Sequence, residues 1–121
     1  MKNIFIATAM LCVSVISLAQ TKDTDEIKLV LKQYNDAVGK LDITGTVKFF
    51  TTDSKIYESG SSEGNYAHYL EHHLTPELKE FKSFTYSDYK SEVEVDGNYA
   101  FSTETYNYTI ILAKDNTEVK R

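Results

Sequence analysis

Apolar positions at helical spacing mark the first element of the chain. Between residues 27 and 41 they recur every three or four positions, which gives one apolar face over about five helical turns. These positions are Ile27, Val30, Leu31, Tyr34, Ala37, Val38 and Leu41. Asp23, with Glu26 three residues later, matches a capping box, so we predict that the helix begins there. Gly39 weakens its end, and residues 42–45 are expected to break it.

Two short elements follow this helix. Residues 46–50 fit either a short helix or a strand, and we prefer a helix because Gly45 precedes them and a polar turn over 52–54 follows. Residues 55–58 are expected to form a short strand. The Ser- and Gly-rich residues 59–64 are expected to close that strand as a turn.

A second helix is expected after that turn. Asn65 can cap it, and its buried stripe would consist of Tyr66, Ala67, Leu70 and Leu74. A residue that precedes proline is disfavoured in the helical region, so Thr75 is expected to leave the helix. It would then cap a second short helical turn that starts at Pro76.

From Ser83 onwards the pattern changes to alternation, which is typical of strands. The alternation slips by one residue near Asp88, and such a slip predicts a β-bulge. Asp96-Gly97-Asn98 is a hairpin signal. A partner strand over residues 99–113 would place Tyr106, Tyr108, Ile110 and Leu112 on one face and Tyr99, Phe101, Thr103 and Thr105 on the other. Residues 117–121 begin a further strand, and helices followed by antiparallel strands predict an α+β fold.

The N-terminus has the composition of an export signal. Lys2 gives a basic start, residues 4–18 form an apolar run, and Ser17 and Ala19 supply the small residues needed for cleavage before Gln20. A run of about 15 apolar residues is shorter than the roughly 20 that span a bilayer. We therefore predict a signal peptide over 1–19, one domain over 20–121, and a periplasmic or secreted protein. The single cysteine, Cys12, lies in the signal, so the mature chain would hold no disulfide.

Charge and motifs exclude several classes of function. The net charge is −5, and it becomes −6 when Lys2 leaves with the signal. Acidic and basic residues are interspersed without a basic block, whereas nucleic-acid binding requires a positive surface. No apolar stretch after Gln20 is long enough to enter a membrane. No phosphate-cradling glycine loop is present, and we expect no cofactor.

Several segments together resemble one known fold family. They are Tyr34-Asn35-Asp36-Ala37, Ile56-Tyr57-Glu58-Ser59-Gly60, His73-Leu74-Thr75-Pro76-Glu77-Leu78, and Asp96-Gly97-Asn98-Tyr99-Ala100 leading into Thr103-Glu104-Thr105-Tyr106. With this order of elements, the chain from Thr24 to Arg121 resembles the nuclear transport factor 2-like superfamily, in its SnoaL-like or DUF4440-type exported branch.

The resemblance implies a cone-like bent sheet wrapped around the long first helix, a pocket between them, and a homodimer formed through the sheet. Members of the superfamily include isomerases, cyclases, dehydratases and non-catalytic binders, so the likeness is specific for fold rather than activity. They usually carry one or two more strands, often with a tryptophan near the end. This sequence has no tryptophan, so either it is a fragment or its sheet is short, and we expect a domain that lacks its last strands and is incomplete at its C-terminus.

The histidines are the first candidates for chemistry. His68 and His72 are four residues apart, a spacing that can hold a metal ion. Tyr69 stands where a metalloprotease motif has glutamate, and both histidines are expected to face solvent, so we predict no metal site. His73 borders the buried stripe, and the resemblance places the matching histidine near the pocket rim. It is a candidate general acid or base, with a structural role at the Thr75-Pro76 break as the alternative.

Glu58 and the tyrosines complete the candidate site. If Ile56 points inward, alternation places Glu58 inward too, where burial would raise the pKa of its carboxyl; if Tyr57 points inward, Glu58 is solvated. Tyr106 is a candidate hydrogen-bond donor to a reacting oxygen. The tyrosines expected to bind a ligand are Tyr34, Tyr57, Tyr69 and Tyr108. A tyrosine-rich strand face is also typical of half-buried sheet surface.

These observations predict an exported domain that binds a small, partly apolar ligand without evident catalysis. A second hypothesis is an isomerase, cyclase or dehydratase that uses His73 or Glu58 for proton transfer. A third is a module that binds protein through its sheet, which would be favoured if aromatic side chains filled the pocket. The sequence does not specify the ligand.

Overall fold

The computed structural model describes the backbone of residues 2–121 and the side chains of residues 20–121. The helices are α1 (Lys2–Gly39), a 3₁₀ turn (Thr46–Phe49), α2 (Tyr66–Tyr69), a π-helical turn (Leu70–Leu74) and α3 (Thr75–Lys79). The strands are β1 (Ile56–Glu58), β2 (Ser61–Gly64), β3 (Phe81–Asp96), β4 (Tyr99–Leu112) and β5 (Glu118–Lys120). The predicted signal peptide lies outside the residues whose side chains are described. In the described part of the chain, no helix combines the length and apolar character needed to cross a membrane.

Helix α1 begins before the predicted capping box. It continues through Asp23 without interruption, so the predicted start there is wrong. The hydroxyl of Thr24 donates to the carbonyl oxygen of Gln20, one turn back, at 2.9 Å. A cap is required only where backbone N–H groups lack partners, and the preceding helical turn supplies those partners here.

The C-terminal end of α1 is closed by a Schellman motif. The amide of Asp42 donates to the carbonyl of Ala37 at 3.0 Å, and the amide of Leu41 donates to that of Val38 at 2.9 Å. Leu41 adopts a left-handed conformation with φ of 57°, a position that glycine usually occupies. Its side chain packs against the core, and this burial offsets the backbone cost of roughly 1 kcal/mol. The predicted break after α1 is confirmed.

The main sheet is antiparallel and has the order β3-β4-β5. The pairing of β3 with β4 shifts between Ser87 and Lys90, which confirms the predicted bulge. Asp88 has a left-handed φ of 52° there, and its carboxylate accepts from the side-chain amide of Asn107 at 2.8 Å. The hairpin at residues 96–99 is also confirmed, because Asp96 pairs with Tyr99. A bulge bends its strand, so the long strand pair can follow α1.

A second, two-stranded sheet replaces the turn that was predicted over residues 59–64. β1 and β2 are antiparallel and meet at Ser59 and Gly60, whose φ angles of 50° and 83° are both positive. That conformation belongs to the two-residue turns that favour hairpins. The Ser- and Gly-rich segment Ser61–Gly64 therefore forms a strand despite its low β-propensity, since the tight turn returns it to β1.

The second helical region is continuous from α2 to α3. Asn65 caps it as predicted, because its side-chain oxygen accepts from the amide of His68 at 2.9 Å. Thr75 does not leave the helix; its φ and ψ are −64° and −46°. The turn before Pro76 widens instead, and the amide of Thr75 donates to the carbonyl of Leu70, five residues back. The wider turn accommodates a proline ring that would otherwise clash with the preceding turn.

The core lies between α1 and this second helical region. Its central cluster consists of Val38, Leu74 and Leu78, with Tyr34, Leu41, Phe81, Phe84 and Tyr86 among the residues packed against it. Ala67 is exposed, so the predicted buried stripe is wrong at that position. Val30 is also exposed, so the apolar face of α1 is not covered along its whole length. The fold class is α+β, as predicted: a long N-terminal helix with shorter helices and antiparallel sheets.

Tyr66 closes one end of this core. Its side chain is 1% exposed, and its ring stacks on that of Phe50 with centroids 3.7 Å apart. Its hydroxyl lies 2.7 Å from the hydroxyl of Thr46, which in turn donates to the carbonyl of Ile43 at 2.7 Å. The loop after α1 is thus held to the second helical region by a buried hydrogen-bond chain.

We expect Tyr66→Phe to lower the free energy of unfolding by about 1–2 kcal/mol, because Thr46 loses a buried partner. Urea denaturation measures this change. The matched control is Tyr57→Phe, which removes the same hydroxyl from a side chain that is 67% exposed and should leave the midpoint unchanged. Equal midpoints for the two variants would contradict the assigned role of the hydrogen bond.

Candidate functional site

A cavity of about 190 Å³ lies between α1, the second helical region and the β3-β4 strand pair. Val38, Leu74 and Leu78 form its floor, so the cavity rests directly on the core. Aromatic rings form most of its wall, and two carboxylates lie among the lining residues. The remaining lining residues are Tyr34, Asn35, Glu58, Tyr69, Glu77, Phe81, Phe84, Tyr86, Tyr106, Tyr108 and Ile110.

The aromatic wall is fixed by contacts among its own rings. Phe84 stacks on Tyr108 with centroids 5.4 Å apart, and Tyr86 meets Tyr106 edge to face at 4.9 Å. Phe84 and Tyr86 are neighbours on β3, with centroids 4.8 Å apart. These pairs form because β3 and β4 are in register across this region, with Tyr86 opposite Tyr108 and Phe84 opposite Ile110. The wall is therefore a surface of the sheet whose rings are positioned by the strand register and by contacts with one another.

Burial keeps the phenols of the wall protonated to a higher pH than an ordinary tyrosine. It is the main cause that raises the pKa of Tyr34 and of Tyr86 far above the ordinary value, and it also raises the pKa of Tyr106. Protonated phenols can donate hydrogen bonds to a ligand. Three of the tyrosines predicted to bind a ligand, Tyr34, Tyr69 and Tyr108, line the cavity together with the proposed donor Tyr106.

Tyr57 is the predicted ligand-binding residue that the structure does not bring to the cavity. It projects from the opposite face of β1 to Ile56 and Glu58, and it is exposed. The sequence left open whether Ile56 and Glu58 or Tyr57 point inward, and in the structure Ile56 and Glu58 do. Glu58 points inward and lines the cavity, and no contact of Tyr57 joins the site.

Glu58 and Glu77 form the acidic end of the cavity. One carboxylate oxygen of Glu58, Oε2, is buried and has no hydrogen-bond partner. Burial, followed by the nearby charge of Glu58, raises the pKa of the Glu77 carboxyl above its ordinary value, and His73 offsets part of this shift. Burial is also the main cause that raises the pKa of Tyr69, followed by the charge of Glu58, to which its hydroxyl donates.

His73 lies behind the acidic end. Its Nε2 is 3.2 Å from Oε2 of Glu58, without hydrogen-bond alignment, and 3.9 Å from Oε2 of Glu77. Its Nδ1 is 3.4 Å from Oε2 of Glu63. The ring stacks on Tyr69 with centroids 5.1 Å apart. His73 is not among the residues that line the cavity, and it contacts the site through Glu58; its role as a general acid or base stays a prediction.

The other histidines lie apart from the cavity. His68 and His72 have ring centroids 4.5 Å apart, as their spacing predicts. Nδ1 of His68 is 3.1 Å from the backbone carbonyl of Glu63, and His72 is 3.8 Å from Glu71. Within the part of the chain that the structure describes, no group of three or more His, Cys, Asp or Glu side chains has the arrangement to hold a metal ion.

Two carboxylates of this site were not identified from the sequence. Glu77 is four residues after His73, a spacing that places both on one helical face, and this signal could have found it. Glu63 lies in a segment that was predicted to be a turn. Its position beside His73 depends on the β1-β2 hairpin, which brings strand β2 back to the start of α2.

No protein-family model, curated protein or solved structure matches this chain. The chemistry of the site therefore has to be argued from its own residues.

The raised pKa of Glu77 gives a stability prediction. At pH values between 4.5, its ordinary pKa, and the higher pKa of the folded state, the folded state binds more protons than the unfolded state, so stability falls as pH rises. Glu77→Gln removes this loss. We expect it to raise the free energy of unfolding at pH 7 by less than about 1 kcal/mol, since the side chain is half-exposed, and to give no gain at pH 3.

Urea denaturation at the two pH values checks this expectation. Glu71→Gln is the matched control, because it removes a carboxylate from an exposed position of the same helical region and should change stability at neither pH. A Glu77→Gln variant that is less stable than the parent at pH 7 would show that the carboxylate is stabilised by its surroundings.

Proposed function

We propose that this protein is an exported ligand-binding domain of nuclear transport factor 2-like type that holds one small, partly apolar molecule in the cavity. The observation that carries the proposal is the cavity itself, since rigid aromatic walls and a few convergent polar groups are typical of binding sites. The segment of the resemblance that runs from His73 to Leu78 lies beside this cavity, and Leu74, Glu77 and Leu78 line it.

The size of the cavity limits the ligand. Pockets for drug-sized molecules are typically about 300–1,000 Å³, and this one is about 190 Å³. An engineered apolar cavity of about 150 Å³ accepts benzene in another protein. A single ring with a short polar arm is therefore the appropriate class of ligand, with the ring against the tyrosine wall and the arm toward Glu58 and Glu77.

A titration with benzyl alcohol tests this function. Two-dimensional amide NMR should show shifts confined to residues that line the cavity. Val38→Phe places a ring into the cavity floor and should weaken binding at least about tenfold, since it removes space that the ligand needs. Val47→Phe is the matched control, because Val47 is exposed and is not among the lining residues.

Thermal unfolding of both phenylalanine variants shows whether each remains folded at the titration temperature. A folded Val38→Phe variant that binds benzyl alcohol as well as the parent would overturn the assignment of the cavity as the binding site. Shifts spread over the surface in the parent protein would do the same.

Proton transfer is the second candidate function, and one observation favours it. The side chains of Glu63, His73 and Glu58 form a chain of contacts that leads from the outside of the site to the cavity. Glu63 is 3.4 Å from His73, and His73 is 3.2 Å from Glu58. Glu58 would exchange a proton with the ligand and His73 would position and charge-balance it. Tyr106, with its phenol protonated, would donate to an oxygen that becomes negative.

Deuterium exchange measures this activity. The carboxylate of Glu58 would take a proton from the methyl carbon of acetophenone, next to the carbonyl, and the resulting enol would regain deuterium from D₂O. We expect exchange above the buffer rate in the parent protein and a loss of about 100-fold or more in Glu58→Gln. His73→Gln should lower the rate less and shift its pH profile. Exchange at the buffer rate in the parent would leave ligand binding without proton transfer.

The protein-interaction hypothesis was tied to a pocket filled by aromatic side chains. The rings line the cavity and leave space within it, so this hypothesis has no support from the pocket. Dimerisation through the sheet stays a prediction. Tyr99 and Phe101, which are 76% and 67% exposed at the start of β4, are apolar residues that such a contact could cover.

A further inference from the structure

The charges around the cavity have one sign. Glu58 and Glu77 are the charged residues among those that line it, and no lysine, arginine or histidine is in that set. The lysine ion pairs that the described residues form lie elsewhere, with Glu26, Asp36 and Glu118 as partners. The acidic end of the cavity therefore faces its interior without a cation from the protein on that side.

Tyr69 donates to the carboxylate of Glu58, and His73 approaches that carboxylate without being one of the lining residues. Oε2 of Glu58 is buried without a hydrogen bond, and a buried acceptor in that state is costly. His73 is near this oxygen but is not aligned to donate to it. Burial and then the nearby charge of Glu58 raise the pKa of the Glu77 carboxyl above its ordinary value. A ligand cation in the cavity would add a positive charge beside both carboxylates, in addition to His73, which is not among the lining residues.

The rest of the wall suits the same kind of ligand. Seven aromatic side chains line the cavity: Tyr34, Tyr69, Phe81, Phe84, Tyr86, Tyr106 and Tyr108. The faces of aromatic rings carry negative potential and attract cations. The net charge of −5 adds a favourable field for the approach of a cation.

We propose that the ligand class of this cavity is a small organic ammonium, a primary amine on a single ring, whose N–H groups donate to Glu58 and Glu77 while its ring lies against the tyrosine wall. The proposal deepens the proposed function and depends on it, because it names the chemistry of a ligand for the same cavity. Carboxylate acceptors favour a primary ammonium, since a quaternary ammonium has no N–H to donate.

Three probes of similar size test the ammonium inference separately from the proposed function: benzylamine, benzyl alcohol and benzoate. At pH 7 we expect benzylamine to bind at least about tenfold more tightly than benzyl alcohol, which corresponds to about 1.4 kcal/mol. Benzoate should not bind, since its charge repeats that of the acidic end. Amide NMR gives the affinities and shows whether the shifts map to the residues that line the cavity.

Variants then test the two carboxylates. Glu58→Gln and Glu77→Gln each replace a carboxylate by an amide of the same shape, and each should lower the ratio of benzylamine to benzyl alcohol affinity by about tenfold. Glu71→Gln removes the same charge from an exposed site and should keep the ratio of the parent. This control separates contact within the cavity from attraction to the acidic surface as a whole.

The outcomes distinguish the two proposals. If benzyl alcohol binds in the cavity and benzylamine binds no more tightly, the ammonium inference is overturned and the proposed function stands. A ratio that falls equally in Glu71→Gln and Glu58→Gln also overturns the inference, because the effect would then be one of net charge. If none of the three probes shifts the lining residues, the proposed function fails as well. The Glu77→Gln variant keeps the test valid if Glu58→Gln does not fold.

Discussion

The contact of Val38 with Leu74 and Leu78 is the constraint on which the rest of this structure depends. It joins α1 to the second helical region, and these three side chains are also the floor of the cavity. Five hydrophobic side chains of the described residues are buried, and three of them make this contact, so the contact represents much of the apolar burial that opposes the entropy of the chain. The same packing that stabilises the fold thus sets the depth of the site.

The acidic end of the cavity and the side chains behind it come from four separate elements. Glu58 comes from β1, Glu63 from β2 and Glu77 from α3, with His73 of the π-helical turn among them. None of these elements is longer than five residues. Short elements gain little stability from their own hydrogen bonds, so their positions depend on the side chains that attach them to α1 and to the main sheet. The geometry of the site therefore depends directly on the tertiary packing of these short elements.

Much of the architecture could be predicted from the sequence because its signals are local. The bulge at Asp88 follows from a one-residue slip in alternation, and the hairpin at Gly97 follows from turn chemistry. The end of α1 shows the limit of such reasoning. The residue that takes the left-handed conformation is Leu41, while Gly39 lies within the helix, because the choice depends on a core contact of Leu41 that the local sequence does not contain.

Part of the site could be predicted, again because the signals for that part are local. Alternation along a strand could relate Glu58 to Ile56, and tyrosines on one face of β4 could be grouped by period. The contact between His73 and Glu58 could not be predicted, because it joins β1 to the second helical region and depends on the geometry of the turn between them, which the sequence does not specify. The place of Glu63 in the site could not be predicted either, since its segment has a turn-like composition and forms a strand only in the hairpin.

The π-helical turn at Leu70–Leu74 has a consequence for the direction in which the following residues face. It holds one more residue than a regular turn, so each side chain after it is rotated by about 100° relative to an unbroken helix. A regular helix over the same residues would turn Leu78 away from α1 and carry the carboxylate of Glu77 out of the cavity, whereas deleting one residue within the turn would regularise it and leave both side chains facing as they do. The direction of the acidic end thus depends on how many residues one helical turn holds, and Pro76, whose ring the wider turn accommodates, lies next to that turn.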